Sequence, residues 1–221
     1  MKTLFYFTLA WVLGGVVAAQ QSPVPVEEEP HHHVVLSNES VLVIRVTLPP
    51  GESTQFHTHS HDRVTIDLTD TTITRQKLGD PEIVRDATKP GDVAASELNG
   101  PYTHRVHNVD PSVFEALDVE LLHRPKQPSS TAAAKVEAEN PSARVYKWTL
   151  GPGATSAMHT HERPYLIVSA TPLTLKMTDP EGKSFTHEVK AGDVHWVDAK
   201  VTHTLANEGT TAGQIVEIEL K

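Results

Sequence analysis

Residues 34–221 carry one pattern twice, and this repeat constrains the fold more than any other feature of the chain. Asn38 aligns with Asn140, Leu48 with Leu150, and Pro50-Gly51 with Pro152-Gly153, each pair 102 positions apart. Phe56-His57-Thr58-His59 falls on Met158-His159-Thr160-His161 at the same spacing. Pro90-Gly91-Asp92-Val93 matches Ala191-Gly192-Asp193-Val194 at a spacing of 101. Thr103-His104 with Asn108 matches Thr202-His203 with Asn207 at 99, as does Val119-Glu120-Leu121 with Ile218-Glu219-Leu220. A drift of three positions over a whole unit leaves room only for small loop changes, so the chain reads as two copies of one domain.

Each copy has the composition of strands. Segments 41–48, 64–68, 114–121, 144–150, 165–168 and 214–220 are rich in β-branched residues or alternate in polarity, and PG, GD, DPEG and NEG turns separate them. No stretch sustains a helical period. Ala132 to Glu139 favours helix by propensity, but the repeat aligns it with 34–39 and makes its second half a strand. Many short strands with regular turns predict an all-β protein of two tandem double-stranded β-helix, or jelly-roll, domains, a fold whose interior can hold a ligand.

The domain reading places a signal peptide at 1–19, an N-terminal extension at 20–33, the first domain at 34–123, a linker at 124–134 (RPKQPSSTAAA) and the second domain at 135–221. The leader combines Met1-Lys2, an apolar run from Leu4 to Val17, and the small residues Val17-Ala18-Ala19 before the cleavage point. The apolar run is too short for a membrane anchor. A periplasmic or secreted address follows. The sequence has no cysteine, which removes disulfides, lipid attachment at cysteine, and thiolate metal ligands. With 19 Lys and Arg against 28 Asp and Glu, nothing in the charge balance favours nucleic acid or an anionic membrane as partner.

Six of the 14 histidines occupy equivalent places in the two units. In each, a PG turn is followed by His-x-His, whose rings share one strand face, and a lone His stands four residues before an Asn. Two imidazoles side by side plus a third from a neighbouring strand form a facial set with open coordination positions. The candidate metal ligands are therefore His57, His59 and His104 in the first unit and His159, His161 and His203 in the second. His61 competes with His57, because HSHDR (59–63) also aligns with HTHER (159–163); the preserved PG spacing favours His57 and His59. His31, His32 and His33 have no counterparts and read as a solvated N-terminal arm. Trp148 and Trp196 are expected to fill the second unit. Asp62 and Glu162 have strand parity that turns them away from the histidines.

These motifs resemble those of the bicupins. The pattern G-x5-H-x-H-x3-4-E-x6-G is matched at Gly51, His57 and His59 and at Gly153, His159 and His161. The pattern PxG…H-x3-N is matched at Pro90-Gly91, His104 and Asn108, and less fully at Gly192, His203 and Asn207. The resemblance covers nearly all of 34–221. It departs from the family where a Glu is expected, since those positions hold Arg63 or Val64 and Tyr165 or Leu166; Asp70 and Pro172 replace the closing Gly. The resemblance therefore implies two three-His sites without a carboxylate.

Such a site would take a divalent transition metal: Zn, Cu, Fe and Ni suit imidazole, Mn is a further candidate, and the stability order together with an exported address favours Cu. A divalent ion on neutral ligands is a Lewis acid towards water, dioxygen or an anionic group. The expected function is a metal-dependent oxidoreductase, dioxygenase-like or copper-dependent, acting on a small organic molecule or a carbohydrate. The alternative is a non-catalytic protein that binds metal or a small ligand. Arg63, Arg163 and Tyr165 are candidates for substrate contact by position, and no catalytic base is assigned.

Overall fold

The computed structural model describes residues 22–81, 84–123, 135–198 and 200–221. The leader read at 1–19 and the linker read at 124–134 lie outside the described residues.

The first half contributes β1 (Val24–Pro25), β2 (His32–Ser37), β3 (Val41–Leu48), β4 (His57–His59), β5 (Asp62–Asp67), β6 (Thr71–Lys77), β7 (Val84–Thr88), β8 (Val93–Ser96), β9 (Tyr102–Asn108) and β10 (Phe114–Leu121). The second contributes β11 (Ala138–Glu139), β12 (Ala143–Leu150), β13 (His159–His161), β14 (Tyr165–Ser169), β15 (Leu173–Thr178), β16 (Ser184–Val189), β17 (Val194–Val197), β18 (Val201–Asn207) and β19 (Gly213–Leu220). A 3-10 turn, Val26–Glu28, is the one helical segment among the described residues.

Each half is a sandwich of two open sheets. The orders are β1-β4-β9-β6-β7 and β2-β3-β10-β5-β8 in the first half, β13-β18-β15-β16 and β11-β12-β19-β14-β17 in the second. This is the all-β, tandem jelly-roll architecture expected from the repeat.

The alternation of side chains in these strands decides where the core lies. In β3, Ile44, Val46 and Leu48 line the interior of the first half, whereas Val41 and Val43 face outward. In β12, Leu150 faces the interior of the second half, whereas Ala143 and Val145 face outward. The outward sets meet: Val41, Val43, Val64, Ile66, Leu117 and Val119 of one half share a single apolar cluster with Val145, Leu166, Val168, Val216 and Ile218 of the other. Strands β10 and β19 are thus covered on both faces, and every residue of β10 except Glu115 is buried. Two long cations tie the halves at matching places. Arg45 Nη2 donates to Ala191 O at 2.8 Å, and Lys147 Nζ donates to Gly91 O at 2.9 Å.

Two expectations are corrected here. His32 is not on a solvated arm: it is 7% exposed, donates from Nδ1 to Val26 O at 2.7 Å, and sets its ring 4.6 Å from that of His57. The cause is Val26, which plugs the apolar interior and draws the arm across the sandwich. Trp196 does not fill the second unit but packs on the cluster between the halves, because its position in β17 has outward parity.

Candidate metal centre

Strand register brings each histidine trio together. In the first half β4 pairs with β9 so that His57 faces His104, and in the second β13 pairs with β18 so that His159 faces His203. His59 and His161 project from the same strand faces as His57 and His159, as alternation requires.

In the first half, His104 Nε2 lies 3.0 Å from His57 Nε2 and 2.9 Å from His59 Nε2. The other nitrogens fix the tautomers. His57 Nδ1 donates to Gln55 O at 3.0 Å, and His59 Nδ1 donates to Glu120 Oε1 at 2.8 Å, so both rings turn a lone pair inward at Nε2. Burial, helped by His32 and His59, pushes His57 down to about 3, and burial drives His104 far below the usual histidine range. Neutral rings with inward lone pairs are the ligand form of histidine. His61 is outside this group; its side chain is 42% exposed and its Nδ1 lies 3.5 Å from Glu120 Oε2. The structure thus brings His57, rather than His61, to His59 and His104.

The second half repeats the trio and adds what the sequence reading did not find. Glu217 of β19 sits among the rings, with Oε2 3.0 Å from His159 Nε2 and Oε1 3.3 Å from His161 Nε2 and 3.1 Å from His203 Nε2. The expectation of a carboxylate-free site does not hold in this half. The carboxylate enters from the C-terminal strand of the neighbouring sheet, not from the strand that follows His-x-His. A readable signal existed: Asp118-Val119-Glu120 and Glu217-Ile218-Glu219 are alternating carboxylate pairs at a spacing of 99, the same periodicity that marked His-x-His.

The outer ring nitrogens again have partners. His159 Nδ1 donates to Ala157 O at 2.9 Å and His161 Nδ1 to Glu219 Oε2 at 3.0 Å, so the Nε2 atoms of both rings face Glu217. Glu217 Oε1, His161 Nε2 and His203 Nε2 are buried without a hydrogen-bond partner. Such a cluster calls for a cation at its centre, either a proton or a metal ion. Burial alone would lower His161, but Glu217 and Glu219 outweigh it and hold the ring at about 9. Burial alone would raise Glu217, but the three imidazoles keep it well below the usual carboxylate range. Four buried ligand atoms gathered in this way fit a divalent transition metal. Trp148 stacks on His159 at 4.6 Å and donates from Nε1 to Glu217 Oε2 at 2.6 Å, and Tyr165 stacks on His161 at 4.0 Å.

The first half differs at two positions. Asp118, the counterpart of Glu217, is one methylene shorter, and Arg63 holds it by a 2.7 Å bond from Nη1. The same Nη1 lies 3.3 Å from His59 Nε2. By register with β10 and β19, Arg63 stands where the second half has Tyr165. A fixed guanidinium beside the trio opposes a second cation there.

Among curated proteins, the β-alanine degradation protein BauB of Pseudomonas aeruginosa is 32% identical over 90 residues, 41% of this chain and 94% of BauB. The cupin 2 conserved barrel protein of Leptotrichia buccalis has a similar structure, with a TM-score of 0.52, 13% identity, and 86% and 88% of the two chains covered. The chain has the cupin fold. Two further cupin-fold neighbours span most of it. AerE of Microcystis aeruginosa has a TM-score of 0.62 at 13% identity, covering 90% of this chain and 98% of its own. Salicylate 1,2-dioxygenase of Pseudaminobacter salicylatoxidans has a TM-score of 0.54 at 14% identity, covering 83% and 74%. The chain matches no protein-family model. BauB therefore spans about one unit of this cupin, while the structural neighbours share both.

Proposed function

We propose that this cupin is a metal-dependent oxidoreductase whose working centre lies in the second unit, on His159, His161, His203 and Glu217. One observation carries the reading: the inward-facing atoms of three buried imidazoles and one carboxylate, on His159, His161, His203 and Glu217, all lie within 4.8 Å of one another. When bound, a divalent ion supplies Lewis acidity and, for a redox-active metal, one-electron chemistry. The chain's residues do the rest. Glu219 fixes the His161 tautomer, Ala157 O fixes that of His159, and Trp148 restrains Glu217 through its indole N–H. Glu217 reduces the net charge of a divalent ion to +1, which favours neutral ligands more than a three-His site would. Salicylate 1,2-dioxygenase shares this architecture, and dioxygenase-type chemistry on a small organic molecule is the form the proposal takes.

For the first unit, the non-catalytic reading fits better. Arg63 supplies positive charge beside the rings and Asp118 neutralises it, so the trio has no need of a metal for charge balance. The apolar leader at 1–19 supports export from the cytoplasm, which N-terminal sequencing of the mature protein tests.

Metal analysis of untagged protein should give close to one equivalent of metal per chain, with dioxygen consumption on a substrate panel once the metal is restored. Glu217→Gln should weaken metal binding at least tenfold, because the ligand loses its charge. Retention of tight metal by Glu217→Gln, or by the double variant His159→Ala/His203→Ala, overturns the site; tight metal without turnover overturns the oxidoreductase.

A further inference from the structure

The second unit has a cavity of about 590 Å³, lined by Tyr165, whose ring stacks on His161, and by Ile167, Leu175, Met177, Val197 and Ile215 among others. The first unit has a cavity of about 820 Å³ in the same place, and the two differ in kind. Strand register sets their walls side by side. Arg63 corresponds to Tyr165 and Thr65 to Ile167, by pairing with β10 and β19. Arg75 corresponds to Met177, since they pair with Val106 and Leu205 respectively. Ser96 corresponds to Val197, since they pair with Arg63 and Tyr165. Four polar or charged positions in one unit are thus apolar or aromatic in the other, on the same backbone.

Among the described residues, the second cavity has no Lys or Arg in its lining. Its polar oxygens mostly have partners: Ser169 Oγ donates to Thr171 O at 2.7 Å, and at the exposed edge Asp193 Oδ2 accepts from Lys190 N at 2.7 Å. Glu188 Oε1 accepts from Thr174. His187 and His195 are exposed at the mouth. The Tyr165 hydroxyl is the exception, fully buried and without a partner, on the ring that stacks against His161. A buried hydroxyl left unpaired costs free energy that a ligand's acceptor would recover. An anionic ligand would instead have to shed its water against an aliphatic wall with no compensating Lys or Arg among the described lining residues.

We propose that the second cavity binds an uncharged, predominantly apolar small molecule whose one carbonyl or hydroxyl oxygen accepts a hydrogen bond from Tyr165. The volume lies within the range of about 300–1,000 Å³ usual for small-molecule sites. This assignment builds on the proposed metal centre, which it supplies with a substrate class, but the cavity's selectivity is separable from the metal.

The test uses full-length protein whose metal content has been measured, titrated with acetophenone and with benzoate as probes of similar size, one neutral and one anionic. Calorimetry or Trp148 fluorescence should show saturable acetophenone binding, with benzoate at least tenfold weaker. Tyr165→Phe should weaken acetophenone three- to tenfold with metal content unchanged, and Val197→Trp, which fills the cavity, should abolish binding. Equal or tighter binding of benzoate, or acetophenone affinity untouched in Tyr165→Phe, overturns the proposal. Metal present without acetophenone binding sinks the substrate class alone; acetophenone bound by metal-free protein with these selectivities upholds it while the metal reading falls.

Discussion

Asp67 shows how one residue can set the pH response of this molecule. It lines the first unit's cavity, and burial pushes its carboxyl up to about 6, against the pull of Arg75 and with help from Asp92 and Asp118. The native protein therefore binds this proton more tightly than the unfolded chain does. Between about pH 4 and 6 the native state carries the extra proton, so this contribution to stability falls as pH rises and is fully lost above pH 6. Asp67→Asn should stabilise the protein by on the order of 2–3 kcal/mol at pH 7 and by nearly nothing at pH 4, read from urea midpoints. A gain of equal size at both pH values would contradict the burial argument. His61 offers the opposite case. It is half-exposed and turned towards Glu120, so His61→Ala should leave metal content unchanged, whereas His161→Ala should remove it.

Among the elements, the turns after β3 and before β8 explain why the sequence repeats its glycines. Gly51 and Gly91 both have positive φ, 74° and 83°, but their surroundings differ. A Cβ on Gly51 meets nothing within 4 Å, whereas one on Gly91 comes within 1.6 Å of Gln214 Oε1 from the other half. Gly51→Ala should cost roughly 1–2 kcal/mol from left-handed backbone alone. Gly91→Ala should cost more, and adding Gln214→Ala should return the difference, since a flexible side chain is the obstacle. A double-mutant cycle by chemical denaturation measures this. Strand β19 teaches a related lesson about legibility. Its Glu217 and Glu219 alternate with Val216 and Ile218 as a half-exposed strand would, yet it is buried on both faces. Alternation reported two different environments but could not say that the polar one was a closed interior holding imidazoles. Only the neighbouring sheet, which carries His159, His161 and His203, makes that face a site.

At the scale of the molecule, the two halves fold onto each other through the apolar cluster that joins β3, β5 and β10 to β12, β14 and β19. Unfolding should therefore be a single cooperative transition, and calorimetry showing two separate ones would contradict the shared core. Residues 135–221 expressed alone should dimerise or aggregate through the face of Val145, Leu166 and Val168, as light scattering would show. The sequence by itself determined the duplication, the all-β class and the six histidines, because a repeat and a two-residue period are local properties that any alignment of the chain with itself exposes. Tertiary structure alone decided that Glu217 joins one trio while Arg63 and Asp118 flank the other, and that one interior is apolar and the other charged. Those outcomes depend on which faces of non-adjacent strands meet across a sandwich, and that geometry is set by register and packing between segments a hundred residues apart rather than by any one stretch of the chain.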